Sequence, residues 1–304
     1  MRKIIDSHAH IVQYIAGIGA GGELRSIGGG MAVYADGRVV RMIPEEFHSD
    51  CVTPEQLLKV MDENHVERSV LLQGNFYGYQ NCYTYEAVQK YPDRFAGACS
   101  YDPYSHDLNA IRSHLFHDLG FRIVKFEIST GSGLMAIHPD FRLDGPRMEE
   151  ACRYADDHGH VVVIDIGKCG SDSWQIEGLG KLIRRHSGMK FVACHLLAPS
   201  SQDQEKLRWA LEQLCAPNLW FDISSVVHNC RPDAYPYPKA LEMLQIAKEL
   251  VGAEKLMFGT DFPSALKEDT YDHYVSYIDD SDLFTDGEKD RVFYENARKV
   301  YFEA

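Results

Sequence analysis

Two histidines close the first apolar run of the chain, Ile4-Ile5-Asp6-Ser7-His8-Ala9-His10. In an extended strand, side chains two positions apart point to one face, so His8 and His10 aim two imidazoles at one point near the strand's C-terminal end. Imidazole is a common ligand for zinc and for neighbouring first-row metals. Asp6 shares that face and is placed to orient a ligating ring from behind. The chain has 14 histidines, so one His-x-His pair carries little weight until distant segments supply further ligands.

Other apolar runs do end in such residues. The run Ile123-Val124-Lys125-Phe126-Glu127 puts Lys125 and Glu127 on one face. The run from Val161 ends in Asp165-Ile166-Gly167, and the run from Phe191 ends in His195. A last one leads into Gly259-Thr260-Asp261-Phe262-Pro263. A charge at the end of a buried strand costs free energy unless it is paired or coordinating. Ion pairing of Lys125 with Asp165 or Glu127 explains any single one of these residues. Two histidines, two aspartates and a further histidine, all at strand ends, point to a site.

Strands alternating with helices must position these groups. Strands are predicted at 3–7, 68–73, 95–101, 122–128, 161–166, 190–195, 219–223 and 255–259. Helices are predicted at 54–64, 82–91, 106–118, 146–158, 175–186, 202–214, 238–250 and 287–302. Thr53-Pro54-Glu55-Gln56 is a helix start, with Thr as N-cap, Pro at the first helical position and Gln three residues after the cap. Near-continuous apolar strands indicate a sheet covered on both faces. Eight strand–helix repeats predict an α/β fold, a (β/α)8 TIM barrel spanning 1–304 as a single domain. A doubly wound sheet is the alternative, but no glycine-rich phosphate loop follows the first strand. Residues 13–50 interrupt the repeat. Within them 31–34 and 38–42 flank Ala35-Asp36-Gly37, the pattern of a β-hairpin. So long a connection at the barrel mouth is expected to act as a lid or pocket wall.

Composition narrows the function. A hydrophobic content of 45% suits a folded globular chain with a sizeable core. A formal net charge of −14 argues against nucleic acid and anionic membranes as partners. No apolar run approaches the ~20 residues that span a bilayer, and no signal peptide precedes the first strand. The eight cysteines are scattered without a C-x-x-C pair and read as reduced thiols of a cytoplasmic protein. The partner expected is a small-molecule substrate; a homodimer is left open.

Taken together, the motifs resemble the amidohydrolase superfamily, closest to the amidohydrolase-related branch that contains aminocarboxymuconate semialdehyde decarboxylase. Asp6-Ser7-His8-Ala9-His10 is similar to the branch's opening strand, and Gly120-Phe121-Arg122-Ile123-Val124-Lys125 to its fourth. Phe191 to Leu196 resembles the sixth strand and Trp220-Phe221-Asp222-Ile223-Ser224 the seventh. Phe258-Gly259-Thr260-Asp261-Phe262-Pro263 is close to its Gly-Ser/Thr-Asp-Tyr/Phe-Pro signature, and Asn296-Ala297-Arg298-Lys299-Val300 to its usual end.

The resemblance implies one divalent ion, zinc first, with manganese or iron as alternatives, held by His8, His10 and Asp261. It makes His195 the acid–base or substrate-polarising group and Asp261 a proton acceptor. The chain departs from the family at strand five, where Asp165 replaces the usual histidine. As an oxygen donor Asp165 makes a fourth, harder ligand; otherwise it pairs with Lys125 or Lys168 and the site is metal-poor, as in the metal-independent lactonases of the wider superfamily. Lys125 falls where some relatives carry a carboxylated, metal-bridging lysine. A divalent ion lowers the pKa of its water from about 15.7 to about 7. The expected reaction is hydrolysis of a small, carboxylated molecule, with nonoxidative decarboxylation or hydration as the alternative. Candidate anion-binding groups are His228, Lys168, Arg231 and Arg41, followed by Asn75 and Tyr77 just beyond strand two.

Overall fold

Eight strands pair in parallel, each beside the next in chain order, in the computed structural model of the protein, which describes residues 2–303. They are β1 (Ile4–Ala9), β6 (Val66–Leu71), β7 (Phe95–Cys99), β8 (Ile123–Glu127), β9 (Val161–Asp165), β10 (Phe191–Ala193), β11 (Leu219–Asp222) and β12 (Leu256–Met257). The segment after β12 closes the ring onto β1. Ser7 N–H donates to Phe258 O (2.9 Å), Asp261 N–H to His8 O (2.8 Å) and His10 N–H to Phe262 O (2.7 Å). The result is the predicted (β/α)8 barrel.

Its strands are apolar on both faces because both are covered. Ile5, Val70, Leu72, Val163, Val192 and Met257 fill the barrel, and Val300 and Tyr301 from the C-terminal helical segment plug its floor. A second, larger cluster lies between the strands and the helical ring. The first helix, Pro54–Glu63, starts at the predicted capping box: Gln56 N–H donates to Thr53 Oγ1 (3.2 Å) and Thr53 N–H to Gln56 Oε1 (2.7 Å). It buries Leu57 and Met61 against the barrel, a burial contributing about 1.5–3 kcal/mol per side chain.

Three helical regions differ from expectation. The predicted 106–118 helix is α-helical over Leu108–Arg112 and π-helical over Ser113–Asp118. The C-terminal one runs unbroken over 286–302 as predicted, but Arg291–Glu295 and Arg298–Phe302 are π-helical rather than α-helical. Tyr271–Asp279 is an additional helix, capped by Thr270, whose buried face is Tyr271, Tyr274, Tyr277 and Ile278. Its apolar stripe is mostly tyrosine among acidic residues, which hides the helical period.

The excursion after β1 is larger than one hairpin. It forms an antiparallel sheet of β2 (Ile18–Gly19), β3 (Gly22–Gly28), β4 (Met31–Tyr34) and β5 (Val39–Arg41). The expected hairpin is there, with Tyr34 N–H donating to Arg38 O (2.9 Å). The sheet's first strand lies along the loops after β6 and β8. Ala16 N–H donates to Tyr77 O (3.1 Å), Ile18 N–H to Asn75 O (3.0 Å) and Ala20 N–H to Gly131 O (2.9 Å). Gly17 is needed for this approach, since a Cβ there would stand 2.2 Å from Phe76 O. Leu24, Ala32, Tyr34, Met42 and Ile43 are buried in the main cluster, so the insertion is packed onto the barrel, but none of residues 13–50 lines the cavities around His195. Among the described residues no helix is long and apolar enough to cross a membrane, and all eight cysteines are free thiols.

Candidate active site

The end of β1 and the turn after β12 bring His8, His10 and Asp261 together, each offering one donor atom within 4.8 Å of the others. His10 Nε2 is 3.0 Å from Asp261 Oδ1, and His8 Nε2 is 3.9 Å from it. Donors bound tetrahedrally at about 2.1 Å stand roughly 3.4 Å apart, so these separations bracket those of a metal centre. His8 is fully buried, and its Nδ1 lies 3.1 Å from Asp222 Oδ2. The carboxylate can only accept, so Nδ1 carries the proton and Nε2 keeps a lone pair facing Asp261. Burial, and then the charge of Lys125, push the His8 pKa down to about 4, leaving the ring neutral. Burial opposes the charge of Asp261, but His10 and His195 hold its carboxyl well below the usual range. Its other oxygen accepts from Ser225 Oγ (2.7 Å).

Lys125 does not pair with Asp165 or Glu127 by hydrogen bond. Its buried ammonium donates to His8 Nε2 at 3.2 Å. Burial disfavours that charge, yet Cys194, Asp165, Glu127 and Asp261 outweigh it and raise the Lys125 pKa. Glu127 instead accepts from the hydroxyls of Ser129 (3.0 Å) and Ser132 (2.6 Å).

Asp165 stands apart from the three convergent donors. Its Oδ1 accepts from Gly167 N–H (2.8 Å) and its Oδ2 lies 3.5 Å from His195 Nε2. The expected fourth donor thus lies beside the His195 ring. Burial works against the His195 cation, but Asp165, followed by Asp222 and Asp261, overcomes it and pushes the pKa up to about 9. His195 reaches this place through its backbone. Residues His195, Leu196, Leu197 and Ala198 all adopt positive φ (57°, 50°, 66° and 51°), a run that side chains other than glycine rarely tolerate and that functional sites retain. The ring stacks on His8 at 4.6 Å between centroids.

Asp6 makes no hydrogen bond to the imidazole of His8 or His10. It is buried, with Oδ1 accepting from the backbone N–H of His8 and Thr260 (both 3.0 Å) and Oδ2 from Thr260 Oγ1 (2.6 Å) and Tyr271 Oη (2.8 Å). It clasps the β12 turn to β1, and burial raises its pKa to about 6. Asp222 meets the His8 ring in its place. Sequence reasoning gave it no role, although it ends an apolar strand just as Asp165 does.

His10, Lys125, Asp165, His195 and Asp261 line a cavity of about 240 Å³ together with Phe76, Tyr77 and Ser264, while His8, Asp6 and Asp222 are fully buried. A second, of about 480 Å³, shares Glu127, Ser132, Asp165 and His195 with it and extends to Lys168, Ser200, His228 and Arg231. Lys168 is exposed at that rim. His228 and Arg231 both bind Glu268, the ring at 3.1 Å and the guanidinium at 2.5 Å, which neutralises much of their pull on an anion. Arg41 lines neither cavity and donates to Gly29 O (3.1 Å). Tyr77 donates to Met42 O (3.3 Å), joining the insertion to the cavity wall, while Asn75 is buried behind it.

The sequence profile of the amidohydrolase family (Amidohydro_2) matches residues 5–302. No curated protein matches the chain. Among solved structures, a zinc-bound amidohydrolase from Burkholderia multivorans superposes with a TM-score of 0.73 at 17% identity, over 98% of this chain and 99% of that one. A probable 2-pyrone-4,6-dicarboxylic acid hydrolase from Acinetobacter baumannii, with citric acid bound, gives 0.71 at 17% identity over 98% of both. The 5-carboxyvanillate decarboxylase of Sphingomonas paucimobilis gives 0.57 at 16% identity over 81% and 82%.

Proposed function

The chain belongs to the amidohydrolase family and is an enzyme of that superfamily, and from that premise we propose that it hydrolyses a small, carboxylated organic molecule with one divalent ion held by His8, His10 and Asp261. The observation that carries this reading is the convergence of two imidazole nitrogens and a carboxylate oxygen, two of the three residues, His10 and Asp261, lining a cavity that His195 also lines. The donor set suits zinc first, and manganese or iron also. When bound, the ion supplies Lewis acidity that activates water and polarises a carbonyl. Asp261, ionised and at the cavity, takes a proton from the attacking water. His195 directs a protonated Nε2 at the substrate and polarises the scissile carbonyl or protonates the leaving atom. Asp165 keeps that proton in place. Lys125, donating to His8 Nε2, is the cation with which a metal ion competes. Citric acid in the Acinetobacter structure supports a carboxylated substrate, with Lys168 as the rim cation left without an acidic hydrogen-bond partner among the described residues.

A second reading, nonoxidative decarboxylation or hydration, is favoured by one observation: the proton on His195 is what a carbanion leaving such a step would take up. The Sphingomonas decarboxylase supports it. Metal analysis of the purified protein, followed by assays on small carboxylates and lactones with and without chelator, tests both. Hydrolysis predicts about one ion per chain, activity lost on chelation, and acid release without carbon dioxide. Carbon dioxide release selects the lyase. Full activity in chelator makes the enzyme a metal-independent, lactonase-like hydrolase and overturns the metal assignment.

A further inference from the structure

The turn that leaves β11 contacts His8, His195 and Asp261. Asp222 is fully buried, and four donors converge on its carboxylate. Oδ2 faces His8 Nδ1 at 3.1 Å. Oδ1 accepts from His195 N–H (3.1 Å), from Ser224 N–H (3.2 Å) and from the Ser224 hydroxyl. The hydroxyl proton is therefore spent on Asp222, which leaves Ser224 Oγ only as an acceptor for His195 Nδ1, 2.8 Å away. The Ser224 carbonyl backs it as a second acceptor at 3.3 Å. Both rings are thus obliged to carry a proton on Nδ1, and both turn Nε2 inward, His8 toward Asp261 and His195 toward Asp165.

We propose that Asp222 is a positioning residue that sets the Nδ1–H tautomer of the neutral His8 ring directly and, through Ser224, fixes the orientation of the His195 ring by accepting from its Nδ1–H. It needs no contact with substrate. A carboxylate is the only side chain of this size that offers an acceptor to all four donors. This inference rests on the functional reading only for the purpose of the two rings; the proton positions follow from the hydrogen bonds alone.

Asparagine at 222 separates these roles. Its amide nitrogen must face either His8 or the three donors around Oδ1. Facing His8 sacrifices one bond in place of three, so the ring shifts its proton to Nε2 and closes its lone pair to a metal, the same logic by which an Asp-to-Asn change spoils a catalytic triad. Long-range 1H–15N NMR of the metal-free protein at neutral pH is expected to show His8 protonated on Nδ1 in wild type and on Nε2 in Asp222→Asn. Zn²⁺ affinity, titrated against a competing chelator, should fall by roughly 10–100-fold in Asp222→Asn and stay at the wild-type value in Ser224→Ala. With a substrate in hand, Ser224→Ala should lower kcat by about tenfold with KM unchanged, and Ser224→Thr should restore it. A wild-type His8 protonated on Nε2 overturns the proposal even if Asp222→Asn does not fold, as does equal loss of Zn²⁺ in Ser224→Ala. NMR and Zn²⁺ binding are read without turnover, so an error in the assigned reaction leaves them unchanged.

Discussion

Asp165 Oδ2 lies 3.5 Å from Nε2 of His195, on the far side of the ring from the Ser224 that holds its Nδ1. The residue that departs from the family pattern is therefore paired with the histidine proposed as the acid–base group, and the pair forms one wall shared by both cavities. Asp165→Asn is expected to keep the metal content of wild type. It should also lower the pH at which His195 gives up its proton from about 9, because Asp165 is the largest influence favouring the cation. Metal analysis and the pH dependence of kcat check this together. Loss of the ion in Asp165→Asn would return Asp165 to the ligand set.

His8→Asn and Asp261→Asn should each abolish stoichiometric metal binding, since each removes one of three convergent donors. His195→Asn should keep the ion and lower kcat by roughly 10²–10⁴, the usual worth of a positioned acid–base group. Metal analysis of the three purified variants, beside their kinetics, separates these outcomes; a metal-free His195→Asn contradicts the assignment.

Gly17→Ala should loosen the insertion from the barrel mouth. The added methyl would meet Phe76 O at 2.2 Å, and Phe76 lines the cavity. Hydrogen exchange should speed up over 18–41, and KM should rise more than kcat falls. Deleting 31–42 would be a poorer probe of the insertion, because it would cost stability as well as function. Ala32, Tyr34 and Met42 are buried in the main core, and removing such side chains costs about 2–5 kcal/mol each for the larger ones. Unchanged exchange in Gly17→Ala would show that the contact does not hold the insertion.

Acid should weaken the fold through His160. The ring is buried and stacked on Phe116 at 4.5 Å. Burial, followed by His158 and Arg122, lowers its pKa from 6.5 to about 4. The unfolded chain thus binds the proton first, and stability that is fully present above pH 6.5 is lost as pH falls toward 4. Urea unfolding of wild type and His160→Phe across this range should show a difference in slope worth on the order of 1–2 kcal/mol. Parallel pH profiles would exclude His160 as the cause.

The barrel and its strand ends were legible in the sequence because their signals are local. Apolar runs of strand length, a Thr-Pro-x-Gln cap and an Asp-Gly turn need no knowledge of distant partners, and all are found in place. The alternation within β1 was enough to set His8 and His10 on one face, and the closing motif after β12 was enough to single out Asp261. Partnership was not legible. Asp6, Asp165 and Asp222 are each an aspartate in or at the end of an apolar strand, and nothing in their neighbours distinguishes them. Closure of the ring onto β1 made Asp6 a clasp for Thr260 and Tyr271. The left-handed run from His195 to Ala198, which no glycine announces, swung His195 against Asp165. The register of β11 beside β10 placed Asp222 under two histidines. A strand's periodicity decides which way a side chain points, but which atoms it meets depends on the backbone of segments up to 265 residues away, and only the assembled barrel decides that.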